Sequence, residues 1–365
     1  MYSYLPISTL GVACSLLLFP GTLGTVEAQN QSPAHQSSLP SDTNSLSGKV
    51  ADSVRRLSKE SSPAIVRIRC HDENGEIVGT GFYLDPTGTI ITLAEIVMGA
   101  QEITVEQSDA SGKTKSLPAT LTAIDLRSGV AFLKAPTDND SAAFFPPIAV
   151  TTPPELTPVI GIGYPRERMI TPVLGMITGS KNQEGNVLFC VPHITASLPL
   201  SPGEGGAPVF DLAGNLLGIV ITGNTLQGSC SILPSVAIAQ LHHNLLRYGA
   251  INPGWVGAVV ELAAVPQKNS RTRIVSVTPG SPAEAAGIQP GDILLSLGAH
   301  PIQNPEDVLE ASFYLTAGEK LQATVSRKGV SQNLTLECAE MPSPDEELDA
   351  SASATPLPLL GGAAH

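Results

Sequence analysis

Hydrophobic positions along the 365-residue chain change period several times, and each change marks an element. Residues 29–48 are rich in Gln, Ser, Pro, Asn and Thr with no apolar period, which predicts a disordered linker. Val50, Val54 and Leu57 then recur at i, i+4 and i+7, the spacing of a short amphipathic helix. From residue 64 to 134, short apolar runs alternate with turn residues: 64–70, 81–84, 89–92, 103–105, 117–124 and 130–134. Asn74-Gly75 between two of these runs is a hairpin signal. A second set of strand-like runs fills 146–235, and 237–248 returns to helical spacing. In that helix His242 and His243 point about 100° apart, which argues against a shared metal and places them on a solvated face. Beyond 254 the pattern is mixed, with Ser281-Pro-Ala-Glu284 reading as a capping box and Asn304-Pro-Glu-Asp307 as a second cap. Residues 342–365 are Pro, Ser and Ala rich with an acidic run, a predicted disordered tail.

Composition adds three constraints. Thirty-four Gly and 31 Pro suit a turn-rich, mainly β chain, and the length allows two ordinary domains with tails. A formal net charge of −13 disfavours nucleic acid and anionic membrane surfaces as partners. An apolar run at 10–18 followed by Val26-Glu-Ala28 reads as a secretory signal over 1–28, with an uncleaved anchor or lipidation at Cys14 as alternatives; cleavage gives an exported, extracytoplasmic protein without an integral membrane segment. No residue pattern calls for a cofactor or a metal.

Three segments carry the chemistry: Ser201-Pro-Gly-Glu-Gly-Gly-Ala-Pro208, the run from Gly79 to Val97, and Asp125-Leu-Arg-Ser-Gly-Val-Ala-Phe-Leu-Lys134. They resemble the nucleophile, histidine and aspartate segments of the HtrA/Deg family of trypsin-like serine proteases. Laid on that pattern, Gly205 stands at the serine, Glu95 at the histidine and Gly129 at the aspartate, while Gly203, Glu204 and Gly205 keep the backbone of the oxyanion turn. Asp125 matches an upstream Asp of the same loop. Acyl transfer by such a triad needs a hydroxyl, a base and an orienting group. The expectation is therefore a non-enzyme, with a rewired hydrolase using displaced residues as the alternative.

The resemblance runs continuously over 49–250 and implies a mainly β fold, a trypsin-like double β-barrel followed by an α+β PDZ domain at 251–341. In the latter, Gly254-Trp-Val-Gly-Ala258 resembles a carboxylate-binding loop, so Trp255, Val256, Gly257 and Ala258 are the expected peptide-binding residues. Such a loop implies binding of protein or peptide C-termini, in envelope quality control or as an adaptor, at a periplasmic location. The resemblance also implies a trimer, or a hetero-oligomer with an active relative. If the fold holds, Cys190 and Cys230 fall on neighbouring strands, and a Cys190–Cys230 bridge is the disulfide candidate, with buried free thiols as the alternative.

Overall fold

The runs of alternating and continuous apolar residues become strands, seen here in a computed structural model. It describes residues 46–72, 75–108, 113–137, 145, 151, 153–166, 168–184, 187–224, 228–267 and 269–341. The signal at 1–28, most of the linker, Asn74 of the hairpin turn and the tail at 342–365 lie outside the described residues.

Helix α1 (Leu46–Ser61) leads into β1 (Ile65–Asp72), β2 (Gly75–Tyr83) and β3 (Thr89–Leu93). A single turn, α2 (Ala94–Val97), precedes β4 (Glu102–Ser108), β5 (Thr114–Pro118), β6 (Thr120–Asp125) and β7 (Val130–Lys134). These strands form an antiparallel sheet in the order β5-β4-β1-β2-β3-β7-β6. Its two edges, β5 and β6, are joined through Ala119 alone. Laid flat, seven strands would hold those edges roughly 29 Å apart, at about 4.8 Å per strand. One residue cannot span that distance, so the sheet curls into a half-barrel closed by the chain itself. Every residue of β3 is buried, because one face fills the half-barrel and the other meets the second unit.

The second unit is a closed barrel in the order β10-β13-β12-β11-β8-β9. Its strands are β8 (Pro158–Gly163), β9 (Thr171–Glu184), β10 (Val187–Ala196), β11 (Pro208–Asp211), β12 (Leu216–Asn224) and β13 (Ser229–Pro234). A shared core joins the two units, with Phe82, Ile91, Phe132, Ile160, Phe210 and Ile219 packed in one cluster. Helix α3 (Ser235–Tyr248) closes that cluster with Ala237, Ile238, Leu241 and Leu245, and ends where Gly249 turns left-handed at φ 71°.

Histidine 242 departs from the sequence expectation. Only His243 is solvated, whereas His242 is buried and its Nε2 lies 2.9 Å from Asp85 Oδ2. Asp85 also accepts the Thr87 N–H at 2.8 Å and the Thr87 hydroxyl at 2.6 Å. The buried face of α3 is wider than its apolar stripe, and a carboxylate waiting beneath it offsets the cost of burying the ring.

The third sheet has the order β15-β16-β17-β19-β20, with β18 beside β17. Its elements are β14 (Gly254–Trp255), β15 (Ala258–Gln267), β16 (Ser270–Val277), α4 (Pro282–Ala285), β17 (Ile293–Leu297), β18 (His300–Pro301), α5 (Pro305–Phe313), β19 (Lys320–Arg327), β20 (Val330–Glu337) and β21 (Ala339–Glu340). Both helix starts are capped as the sequence predicts. Ser281 Oγ accepts the Glu284 N–H at 3.3 Å, and Asp307 accepts the Asn304 N–H at 2.8 Å. Helix α3 binds this unit directly: Gln240 donates to the Tyr314 carbonyl at 3.0 Å, and Phe313 is buried in the core shared by the first two units.

Candidate functional site

Two concave sites are built by these elements. The first is a cleft of about 330 Å³ lined by Glu95, Leu200, Ser201, Pro202, Gly203, Gly205, Val220, Ile221, Thr222 and Gly223. It brings Glu95 and Gly205 together, as the sequence resemblance implies. Gly129 joins them through the backbone: the Ala94 N–H, next to Glu95, donates to the Gly129 carbonyl at 2.8 Å.

The glycines here are conformational requirements as well as missing side chains. Gly129 has φ +73°, in the left-handed region where L side chains are strained. Gly205 has ordinary φ, but a Cβ there would meet Leu93 Cδ1 at 3.0 Å, tighter than normal contact. Leu93 therefore fills much of the space a side chain at 205 would take.

Thr80 holds the loop in place, a role that sequence reasoning missed. Its N–H donates to Gly205 O at 2.9 Å, its hydroxyl donates to Gly203 O at 2.8 Å, and that hydroxyl also accepts the Tyr164 N–H at 3.0 Å. The signal available was Thr80's place between Gly79 and Gly81, each of which a Cβ would drive into Ile96 or Ile68. Among the described residues, the N–H groups of Gly203 and Gly205 donate to nothing within the protein. Two unpaired donors on one cleft wall can hold a carbonyl or carboxylate oxygen.

Glu204 points away from the cleft and is 1% exposed. Its Oε2 accepts the Ser201 N–H, while its Oε1 has no partner. Burial raises its pKa above the ordinary carboxylate value, against the lowering effect of the Ser201 N–H. Asp125 is likewise buried and ties its own loop, accepting from Arg127 Nε at 2.9 Å and from Ser128 Oγ at 2.7 Å. The Arg127 guanidinium sits 5.0 Å over the Phe313 ring.

The second site is an apolar groove of about 140 Å³ that includes Trp255, Val256, Gly257, Ala258, Val260, Ile274, Val308 and Ser312 in its lining. All four predicted peptide-binding residues fall on it. One wall is β15, the open edge of its sheet, and the other is α5, whose Val308 and Ser312 share a face at i, i+4. Gly257 has φ +80°, and a Cβ there would lie 2.3 Å from Ser281 Cβ and 2.9 Å from the Trp255 ring. The Val256 and Gly257 carbonyls accept from Ala283 and Thr278, leaving their own N–H groups without an acceptor. That is the arrangement a terminal carboxylate needs.

The disulfide expectation is corrected. Cys190 and Cys230 are free thiols. Strands β10 and β13 do pair, but in a register that sets Cys230 opposite Ala196, six residues along from Cys190. That offset is roughly 20 Å at about 3.3 Å per residue, far beyond the ~7 Å limit for a bridge. Burial instead pushes the Cys230 thiol up to about 12.

Comparison with known proteins gives two family matches, a trypsin-like peptidase domain over residues 79–219 and a PDZ domain over 273–320. A DegP-like periplasmic serine endoprotease from Pseudomonas fluorescens is 27% identical over 74% of this chain, and one from Hahella chejuensis is 27% identical over 75%. The chain spans 58% and 59% of the length of these two relatives. Among solved structures, the HtrA-type protease AlgW with a tripeptide matches 80% of this chain and 98% of its own, with a TM-score of 0.65 and 21% identity.

These matches overturn the expectation of a non-enzyme, since the relatives aligned over three quarters of the chain are named serine endoproteases. That expectation counted three side chains. Of the groups that line the cleft, it left out the Thr222 hydroxyl.

Proposed function

The chain belongs to the HtrA/Deg family of trypsin-like peptidases with an appended PDZ domain, and we propose that it captures the C-terminal ends of polypeptides in its PDZ groove. The observation that carries this reading is the loop Gly254–Ala258, with two unpaired N–H groups at the end of an open strand edge. A peptide added beside β15 would pair with that edge, rest an apolar side chain among Val256, Ile274 and Val308, and place its carboxylate on the loop. The proposed domains are 49–250 for the peptidase unit and 251–341 for the PDZ unit. The setting is the periplasm, as for the relatives named above, and the role is in protein quality control there. Assembly into a homo-oligomer belongs to the same proposal.

Binding of a fluorescent peptide with an aliphatic last residue tests it, by anisotropy with the full chain. The free acid should bind at least tenfold more tightly than the same peptide amidated. Equal affinity of the two would overturn the proposal.

Endoproteolysis in the cleft is the second reading, favoured by the names of the relatives. It requires a hydroxyl from outside position 205, and Ser201 on the same lining as Glu95 is the one it assigns. Unfolded casein would then be cut by the wild-type chain and spared by Ser201→Ala. Casein left intact by the wild type removes this reading without touching the first.

A further inference from the structure

The cleft between the two β units lies apart from the PDZ groove and shares no lining residue with it. Glu95 stands at its rim on α2, exposed, and its carboxylate has no ion pair or hydrogen bond among the described residues. The same lining holds Gly203 and Gly205, whose N–H groups are unpaired and whose carbonyls are both held by Thr80. Leu200, Val220 and Ile221 give the lining an apolar part. A volume of about 330 Å³ corresponds to a space on the order of 9 Å across, room for two or three residues of extended chain at about 3.3 Å each.

Each feature asks for a different part of one ligand. The N–H pair takes a carbonyl oxygen, the apolar part takes an apolar side chain, and the free carboxylate takes a cation. Glu95 accepts only, so a neutral apolar ligand would leave it unused and an acidic one would be repelled. The net charge of −13 adds attraction for the same sign of ligand over longer range. The geometry points to an extended polypeptide segment in which an apolar residue is followed or preceded by Lys or Arg, the basic side chain seated on Glu95 and a backbone carbonyl on Gly203 and Gly205.

The test uses the full chain and peptides blocked at both ends, so that no terminal carboxylate is offered to the PDZ groove. One peptide contains Leu-Lys and its partner Leu-Gln at the same place, and peptide integrity is checked by mass spectrometry. The Leu-Lys peptide should bind the wild type about fivefold more tightly. Glu95→Gln should shrink that preference to within twofold. Glu102→Gln removes an exposed, unpaired carboxylate on β4 outside the cleft lining, and should leave the preference intact. Equal binding of the two peptides to the wild type would overturn the inference. So would a preference that survives Glu95→Gln, or one that Glu102→Gln abolishes to the same extent, because the cause would then be the overall charge.

Discussion

Glu204 is a buried carboxyl whose pKa lies above its unfolded value, so its sign in stability is opposite to that of a salt-bridged acid. Its contribution to stability is fully present below the unfolded pKa of about 4.3 and is lost as pH rises through the raised folded value. Glu204→Gln keeps the shape without the charge. Urea denaturation across pH 4 to 9 should show wild type losing ground to Glu204→Gln as pH rises, whereas a constant difference between the two would contradict the assignment. Gly205 makes a second prediction at this scale. A serine there presses on Leu93, and Gly205→Ser should cost about 1–3 kcal/mol from overpacking. Combining it with Leu93→Ala should cost less than the sum of the two single changes, and strict additivity in denaturation would show that Leu93 is not the obstacle. These contacts were not legible in the sequence. The resemblance located positions 95, 129 and 205, but it could not tell that backbone conformation at Gly129 and packing at Gly205 suit glycine in its own right.

At the scale of elements, the strands and both helix caps were legible because period, turn residues and capping pairs are local signals. The burial of His242 was not, because it depends on Asp85, 157 positions away in the chain. Burial raises the Asp85 pKa, but the hydrogen bonds from Thr87, Thr89 and His242 outweigh it and bring the value down from 3.8 to about 2. The folded-state value is depressed, so this contribution is present above pH ~4 and fades as pH falls toward 2. It amounts to about 2 kcal/mol. Asp85→Asn should lower stability by roughly that amount at pH 7, with the gap clearly narrowed at pH 3 and closing near pH 2. A gap that stays constant down to pH 3 would mean that the pair contributes little. The half-barrel shows the same division between local and distant information. Most strands were readable, but 117–124 read as one run, which hid the break at Ala119 between β5 and β6 on which closure rests.

For the whole molecule, the PDZ unit is docked on the peptidase unit. Phe313 at the end of α5 is 3% exposed within the shared core, Arg127 lies over its ring, and Gln240 and Asn244 of α3 reach Tyr314 and Thr316. Phe313→Ala should cost about 3–5 kcal/mol and separate the two units, turning one calorimetric transition into two. A single transition retained in the variant would show that the docking rests elsewhere. The sequence offered the order of the units but no sign of this junction, since Phe313 reads locally as one more apolar residue of a capped helix through Leu315.

Capture of a terminal carboxylate by the Gly254–Ala258 loop is the claim on which the functional account stands, and the Val256 and Gly257 amides report on it directly. Their amide NMR resonances should move downfield on adding the free-acid peptide to the full chain and stay in place with the amidated one. Equal shifts with both peptides, or none with either, would contradict the account.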